Sequence, residues 1–596
     1  MPGNVAAACI APGDSGLRGP DVARPDESQS SERYRGVPTD DGSPMTDAEE
    51  LIDEAWTLHV ETDDMVPLWE GDLDQIERWF TSSSEATADA RARCDELRAR
   101  LEAAANHANG GTRASLLTAA AAMRADAWGA AAPSVELTLP HADEGVLGML
   151  HWATNSLSLT TEEHGERYLE KLRRLPAAVD ELRARLEEAA TADRAPLRRH
   201  VERAIASLDA LLVTPLDDDP FLAQPAPTEV DDAGASRFGE QVASLVGSHT
   251  RPALARLRDT LAGSPRTAGR DDDRPGLLHR PDGESEYAEA LAAHTRPGLD
   301  ADTIHAIGHE QLAQLDDEWA RVGLEQFGVD DPSEVRRRTA ALPGRSSAAE
   351  VLRDAEAIFA ASEAVASTWF NRVPESTCEI RTTVHGSLAF YSPPKPELGR
   401  PPRTYFNVHD PAAWGPQLAA TTLHEGIPGH HYQISLALED HSLHEMHRRL
   451  FLNAYGEGWA LYVERMGIEM GSYPTTIDLL GMLQSDALRA TRLVVDTGLH
   501  ARGWTRQQAI DTMVDRTALG LAECTAEVDR YIALPGQATS YTTGRLAIER
   551  LRDGAQRALG DRFDVAAFHD VVLSNGMLSL DALESLVEDW VTADGR

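Results

Sequence analysis

Among 596 residues the chain holds only two lysines, Lys171 and Lys395, and only four cysteines. Nearly all of its 56 basic residues are therefore arginine, set against 97 acidic ones for a formal net charge of −41. A field of that sign repels nucleic acid and anionic membranes, so neither is an expected partner. Cys9, Cys94, Cys378 and Cys524 lie far apart and form no CxxC pair, which excludes a disulfide framework and a thiolate zinc site. Aromatic residues are scarce, at 6%, and no apolar run approaches the length of a membrane span. The opening MPGNVAAACIAPG lacks the basic and apolar regions of an export signal, so a cytoplasmic location is expected.

What is present favours helix: alanine, leucine, arginine and glutamate dominate the long segments. Residues 1–45 are rich in Pro, Gly, Ser and Asp without apolar period, and read as a disordered tail. Met45, just before the first periodic segment, is a candidate start codon. From 46 to 262, segments such as CDELRARLEAAANHA and LEKLRRLPAAVDELRARLEEAA step their apolar residues by three and four, predicting an N-terminal helical subdomain. The polar, Gly/Pro-rich 263–287 reads as a linker or loop. A second helical subdomain spans 288–596. In it Asp331, Pro332 and Glu334 read as N-cap, first helical residue and capping box. Near 376–409 the helical signal lapses, and CEIRTTV, LAFYSPP and RTYFNV read as strands of a small antiparallel sheet. The expected fold is mainly α, a large multi-helix body with that sheet beside the stretch that carries chemistry.

That stretch is TTLHEGIPGHHYQ. A zinc helix places histidines at i and i+4 because they then lie about 40° apart and about 6 Å along the axis, within reach of one ion. Here position 428 is proline. In a straight helix His430 would sit about 120° off the face of His424, and His431 would return to it about 10.5 Å away. Pro428 has no N–H and clashes with the preceding turn, and Gly429 accepts unusual dihedrals. A two-residue bulge there would bring His430 to the second ligand position. A third ligand is sought on NAYGEGWALYVERM, where Glu457 and Glu464 interrupt an apolar helix seven residues apart. A carboxylate buried there needs a partner. Glu457 is the candidate ligand and Glu464 a supporting carboxylate.

LHEGIPGHHYQ, YGEGWALYVERMG, RLVVDTGLHARGWT, PGQATSYTTGRLAI and FHDVVLSNGMLSLDALE together resemble the bacterial family catalogued as domain of unknown function 885. The likeness runs from about residue 46 to the C-terminus and is strongest from 385 onward. That family is grouped with gluzincin-type metallopeptidases and is similar in layout to the carboxypeptidase Taq and thimet oligopeptidase families, helical bodies split by a deep substrate cleft. Those relatives carry an unbroken HExxH. The resemblance implies zinc held by His424, His430 and Glu457, with Glu425 as general base; His431 competes with His430 as ligand or, where it is not one, serves catalysis by binding substrate or steadying the oxyanion. It implies a hydrolase, foremost a peptidase. A hydrolase or lyase of a non-peptide small molecule, or a silent binding protein, are the alternatives.

Supporting residues are expected nearby. Tyr541, after a glycine-containing loop, would donate to a tetrahedral oxyanion. Arg492, Asp496 and His500 form a polar stripe at i, i+4 and i+8, read as an internal salt-bridge stripe, a carboxylate orienting a ligand, or an arginine for a peptide carboxylate. The strands around Tyr391 and Tyr405 would pair with an extended substrate. His305, His309 and Glu310 imitate a zinc motif, but the glutamate follows the wrong histidine and no third ligand is in view.

Overall fold

The computed structural model describes residues 47–62, 75–79, 81–131, 134–137, 148, 150, 157–384, 386–395 and 400–594. The tail expected at 1–45 lies outside them. The chain forms two compact units, one from the described residues of Ile10–Asp95 and Gly129–Asp271, the other from Glu96–Trp128 and Asp272–Arg596.

The first unit is helical. Its core joins Leu172, Leu175, Val179 and Leu182 of α1 (Glu162–Thr191) to Val201 and Leu208 of α2 (Arg198–Val213) and Leu254 and Leu257 of α3 (Arg251–Leu261). These are the three- and four-residue steps visible in the sequence.

The second unit is built around α4 (Ala301–Phe327), α5 (Ala348–Trp369), α6 (Leu418–Glu425), α7 (His430–Glu439), α8 (Asn453–Met470), α9 (Thr476–Ala501), α10 (Leu521–Ala533) and α11 (Ser540–Leu559). Leu312, Leu315 and Trp319 of α4 pack with Leu480, Leu483 and Val494 of α9 and with Leu423 of α6. Helices α8 and α11 meet at glycines, since a Cβ on Gly544 would stand 1.8 Å from the Ala454 carbonyl oxygen. No helix among the described residues is long and apolar enough to cross a membrane.

Two details depart from the expectations. The sheet is mixed, not antiparallel. Its strands β1 (Glu379–Thr383), β2 (Ala389–Ser392) and β3 (Arg403–Asn407) run in the order β1-β3-β2, with β3 parallel to β1 and antiparallel to β2. Each strand reverses the one before it in sequence, so putting the last in the middle aligns it with the first. At Asp331 the cap is real, its side chain accepting from Glu334 N–H at 3.0 Å. The Glu334 carboxylate, however, turns to Arg337 and Arg338 and does not complete the box. Within 263–287, Leu277 is buried and its N–H donates to His500 Nδ1 at 3.1 Å, so this part is packed on α9.

Candidate metal centre

The bulge expected at Pro428-Gly429 is a complete break. Helix α6 ends at Glu425, the chain turns through Gly426–Gly429, and α7 begins at His430. The Ile427–Pro428 peptide bond is cis. Two contacts hold the turn: Trp459 Nε1 donates to the Pro428 carbonyl at 2.9 Å, and Thr404 Oγ1 to the Glu425 carbonyl at 3.3 Å. Gly429 passes so near α6 that a Cβ would lie 1.9 Å from the His424 carbonyl oxygen, so only glycine fits.

The turn brings the His424 and His430 rings to 4.8 Å between centroids, nearly perpendicular. Glu457 of α8 completes a buried group whose ligand atoms all lie within 4.8 Å of one another. Glu457 Oε2 is 3.3 Å from His424 Nε2 and 3.5 Å from His430 Nε2. A tetrahedral ion with bonds of about 2.0–2.1 Å sets its ligand atoms roughly 3.3 Å apart. Among the described residues no hydrogen bond is aimed at the buried Glu457 Oε2, which leaves that oxygen available to an ion between the three side chains. These residues fit a divalent cation.

Glu464, about two turns further along the same face of α8, accepts from His424 Nδ1 at 2.7 Å. A carboxylate only accepts, so the Nδ1 proton is fixed and Nε2 faces the cluster. Burial opposes charge on His424, but contact with Glu457 and Glu464 outweighs it and lifts the pKa to about 9. Burial would likewise raise Glu457; His424 and His430 instead hold it well below the usual carboxylate range. Glu425 is raised by burial, with partial relief from His424, His430 and Arg489.

His431 turns elsewhere. Its Nδ1 meets Ser435 Oγ at 3.1 Å and the Tyr391 hydroxyl at 3.3 Å, and it has no place in the cluster. Tyr391 pairs with Thr404 across the ladder, so both side chains share the face turned to α6 and α7. Tyr405 alternates to the other face, where it stacks on Phe390 at 4.9 Å. Strand β3 is also central, with no open edge for a peptide. The structure thus sets Tyr405 on the face away from α6 and α7, and β2 is an edge strand of the sheet.

Tyr541 sits in the first turn of α11, and its hydroxyl is raised by burial and then by the charge of Glu457. Arg492 lies over its ring at 4.5 Å. The α9 stripe is not an internal salt bridge, because every member pairs off its own helix. Arg492 binds Glu527 and the Tyr531 hydroxyl at 2.9 and 3.1 Å. Asp496 accepts from Tyr287 at 2.6 Å and from Gly536 N–H at 3.1 Å, fixing the loop that leads to Tyr541. His500 Nε2 donates to the Tyr531 carbonyl at 2.9 Å. The decoy His305 bonds Thr497 at 2.7 Å and His309 at 3.1 Å, and joins no metal-capable group among the described residues.

Burial raises Asp496 to about 7 from its usual 3.8. Between about pH 4 and 7 the folded chain then holds a proton that the unfolded chain has lost, and its stability falls as pH rises. Asp496→Asn removes that slope, by up to about 1.4 kcal/mol per pH unit. In thermal melts the variant is expected to gain on the parent between pH 5 and 7.5; a pH-independent difference would refute the assignment.

Arg489 of α9 was missed in the sequence. It stands three residues before Arg492, a spacing that by itself could have drawn attention to it. One cavity of about 230 Å³ opens beside Asn453, His294 and Arg296, and none of His424, Glu425, His430 and Glu457 lines it.

Fold and site together define a mainly helical protein with a buried His-His-Glu cluster beside a small mixed sheet. A family model described as "Bacterial protein of unknown function (DUF885)" matches residues 69–587, and the chain belongs to that family. Two solved structures share the fold. One is a "putative lipoprotein" from Colwellia psychrerythraea, 24% identical, with a TM-score of 0.79 over 92% of this chain and 100% of that one. The other is a "putative lipoprotein of unknown function" from Shewanella oneidensis, 18% identical, with a TM-score of 0.70 over 91% and 100%. At such identities the likeness carries the fold alone. No curated protein matches.

Proposed function

We propose that the protein is a zinc-dependent hydrolase that cleaves peptides. The observation that carries this reading is the convergence of His424, His430 and Glu457 on one point, with Glu425 next to the first ligand. A cation held there supplies a Lewis acid that polarises a carbonyl and makes water more acidic. Glu425, the residue after His424, takes a proton from water. Its raised pKa suits it to keep that proton and deliver it to the departing amine. The Tyr541 hydroxyl donates to the oxygen on which negative charge develops. Peptide is favoured by the place of β2 at the end of the sheet, where a strand can be added, with Tyr391 of β2 reaching His431, the residue after His430.

Zinc-loaded protein incubated with a mixed oligopeptide library is expected to give cuts visible by mass spectrometry, and a chelator to abolish them. Zinc bound with every peptide intact would replace this reading with hydrolysis of a non-peptide molecule.

A further inference from the structure

Arg489 and Arg492 lie three residues apart on α9, a spacing that puts side chains on one face. Each buries an N–H with no acceptor: Nε of Arg489 and Nη1 of Arg492. Among the described residues Arg489 makes hydrogen bonds only from Nη1, to the carbonyl and hydroxyl of Ser485. Among the described residues no carboxylate pairs with it. That stands out in a chain with 97 acids and 56 bases. Its neighbours are served: Arg465 and Arg545 pair with Asp486, and Arg492 shares Glu527 with Arg530.

Both arginines bear on groups assigned to the candidate centre. The charge of Arg489 acts on Glu425, the proposed proton carrier. Arg492 lies on the Tyr541 ring, and Tyr541 in turn feels Glu457. A guanidinium offers its N–H groups as a planar fork that matches a carboxylate. Leaving such donors buried and unmet costs free energy that a ligand's oxygens would recover.

We propose that Arg489 and Arg492 form a carboxylate-binding subsite, so that the substrates are short peptides cut close to a free C-terminal carboxylate. This rests on the peptidase reading and narrows it: the carboxylate is anchored on α9 while the bond to be broken lies at His424, His430 and Glu457.

The test uses full-length, zinc-loaded Glu425→Gln protein, which keeps the three ligands and does not cut. It is offered two tripeptide libraries that differ only in a free or an amidated C-terminus, and retained peptides are counted by mass spectrometry. Free acids are expected to be retained roughly 10-fold or more over amides, and Arg489→Gln to bring the ratio to about 1. Arg489→Lys keeps the charge but loses the fork, and is expected to retain a few-fold preference. Unchanged zinc content shows that each variant has kept its fold. Equal retention of acids and amides, or retention of neither, overturns the subsite. Because no hydrolysis is read, a protein that cuts no peptide can still pass or fail this comparison, and the two proposals fall separately.

Discussion

Purified His424→Ala protein is expected to hold no zinc where the parent holds about one ion per chain. The ring supplies Nε2 to the cluster and carries the Nδ1–H that Glu464 accepts, so one substitution removes a ligand and strands a buried carboxylate. A graded series separates these effects. Glu464→Ala removes only the outer partner and should weaken zinc roughly 10–100-fold, short of abolishing it. His431→Ala should leave zinc content unchanged, because that ring is spent on Ser435 and Tyr391. Metal analysis after dialysis against graded chelator reads all three, with circular dichroism as the check on folding. Full zinc in His424→Ala, or its loss in His431→Ala, would disprove the assigned ligand set.

The second large effect is on the chemistry alone. Glu425→Gln is expected to keep zinc and lower kcat on any cleaved peptide by about 10²–10⁴. Glutamine has nearly the shape of glutamate but cannot accept the proton of water. Because burial already favours the neutral form of Glu425, a neutral amide should cost little stability there. KM should move little. Activity within about twofold of the parent, in protein shown free of contaminating peptidase, would remove Glu425 from the proton transfer.

How far the site was legible depended on whether a residue's role was local. The His-Glu pair and the two carboxylates on an apolar helix stood out because burying charge is costly without a partner. The mainly helical body followed from apolar spacing alone. The choice between His430 and His431 did not, because straight-helix geometry says nothing of a chain that stops and restarts; the break depends on Trp459 and Thr404, distant in sequence. The face that Tyr405 takes was hidden for a related reason. Alternation along a strand tells which residues share a face, not which face meets α6, and strand order is set by packing beyond the strands. The spacing of Arg489 and Arg492 was visible in the sequence, but that Arg489 lacks a carboxylate partner among the described residues shows only once every neighbour is in place.

The glycine contact between α8 and α11 has a mechanical consequence. Backbones this close leave no layer of side chains to slide on, so the helix bearing Glu457 and Glu464 and the helix bearing Gly544 and Tyr541 behave as a single beam. Closure over a substrate therefore cannot come from one moving against the other. The turn after Glu425 is fastened to the same beam through Trp459, so the helix ends that carry His424 and His430 are braced by it as well.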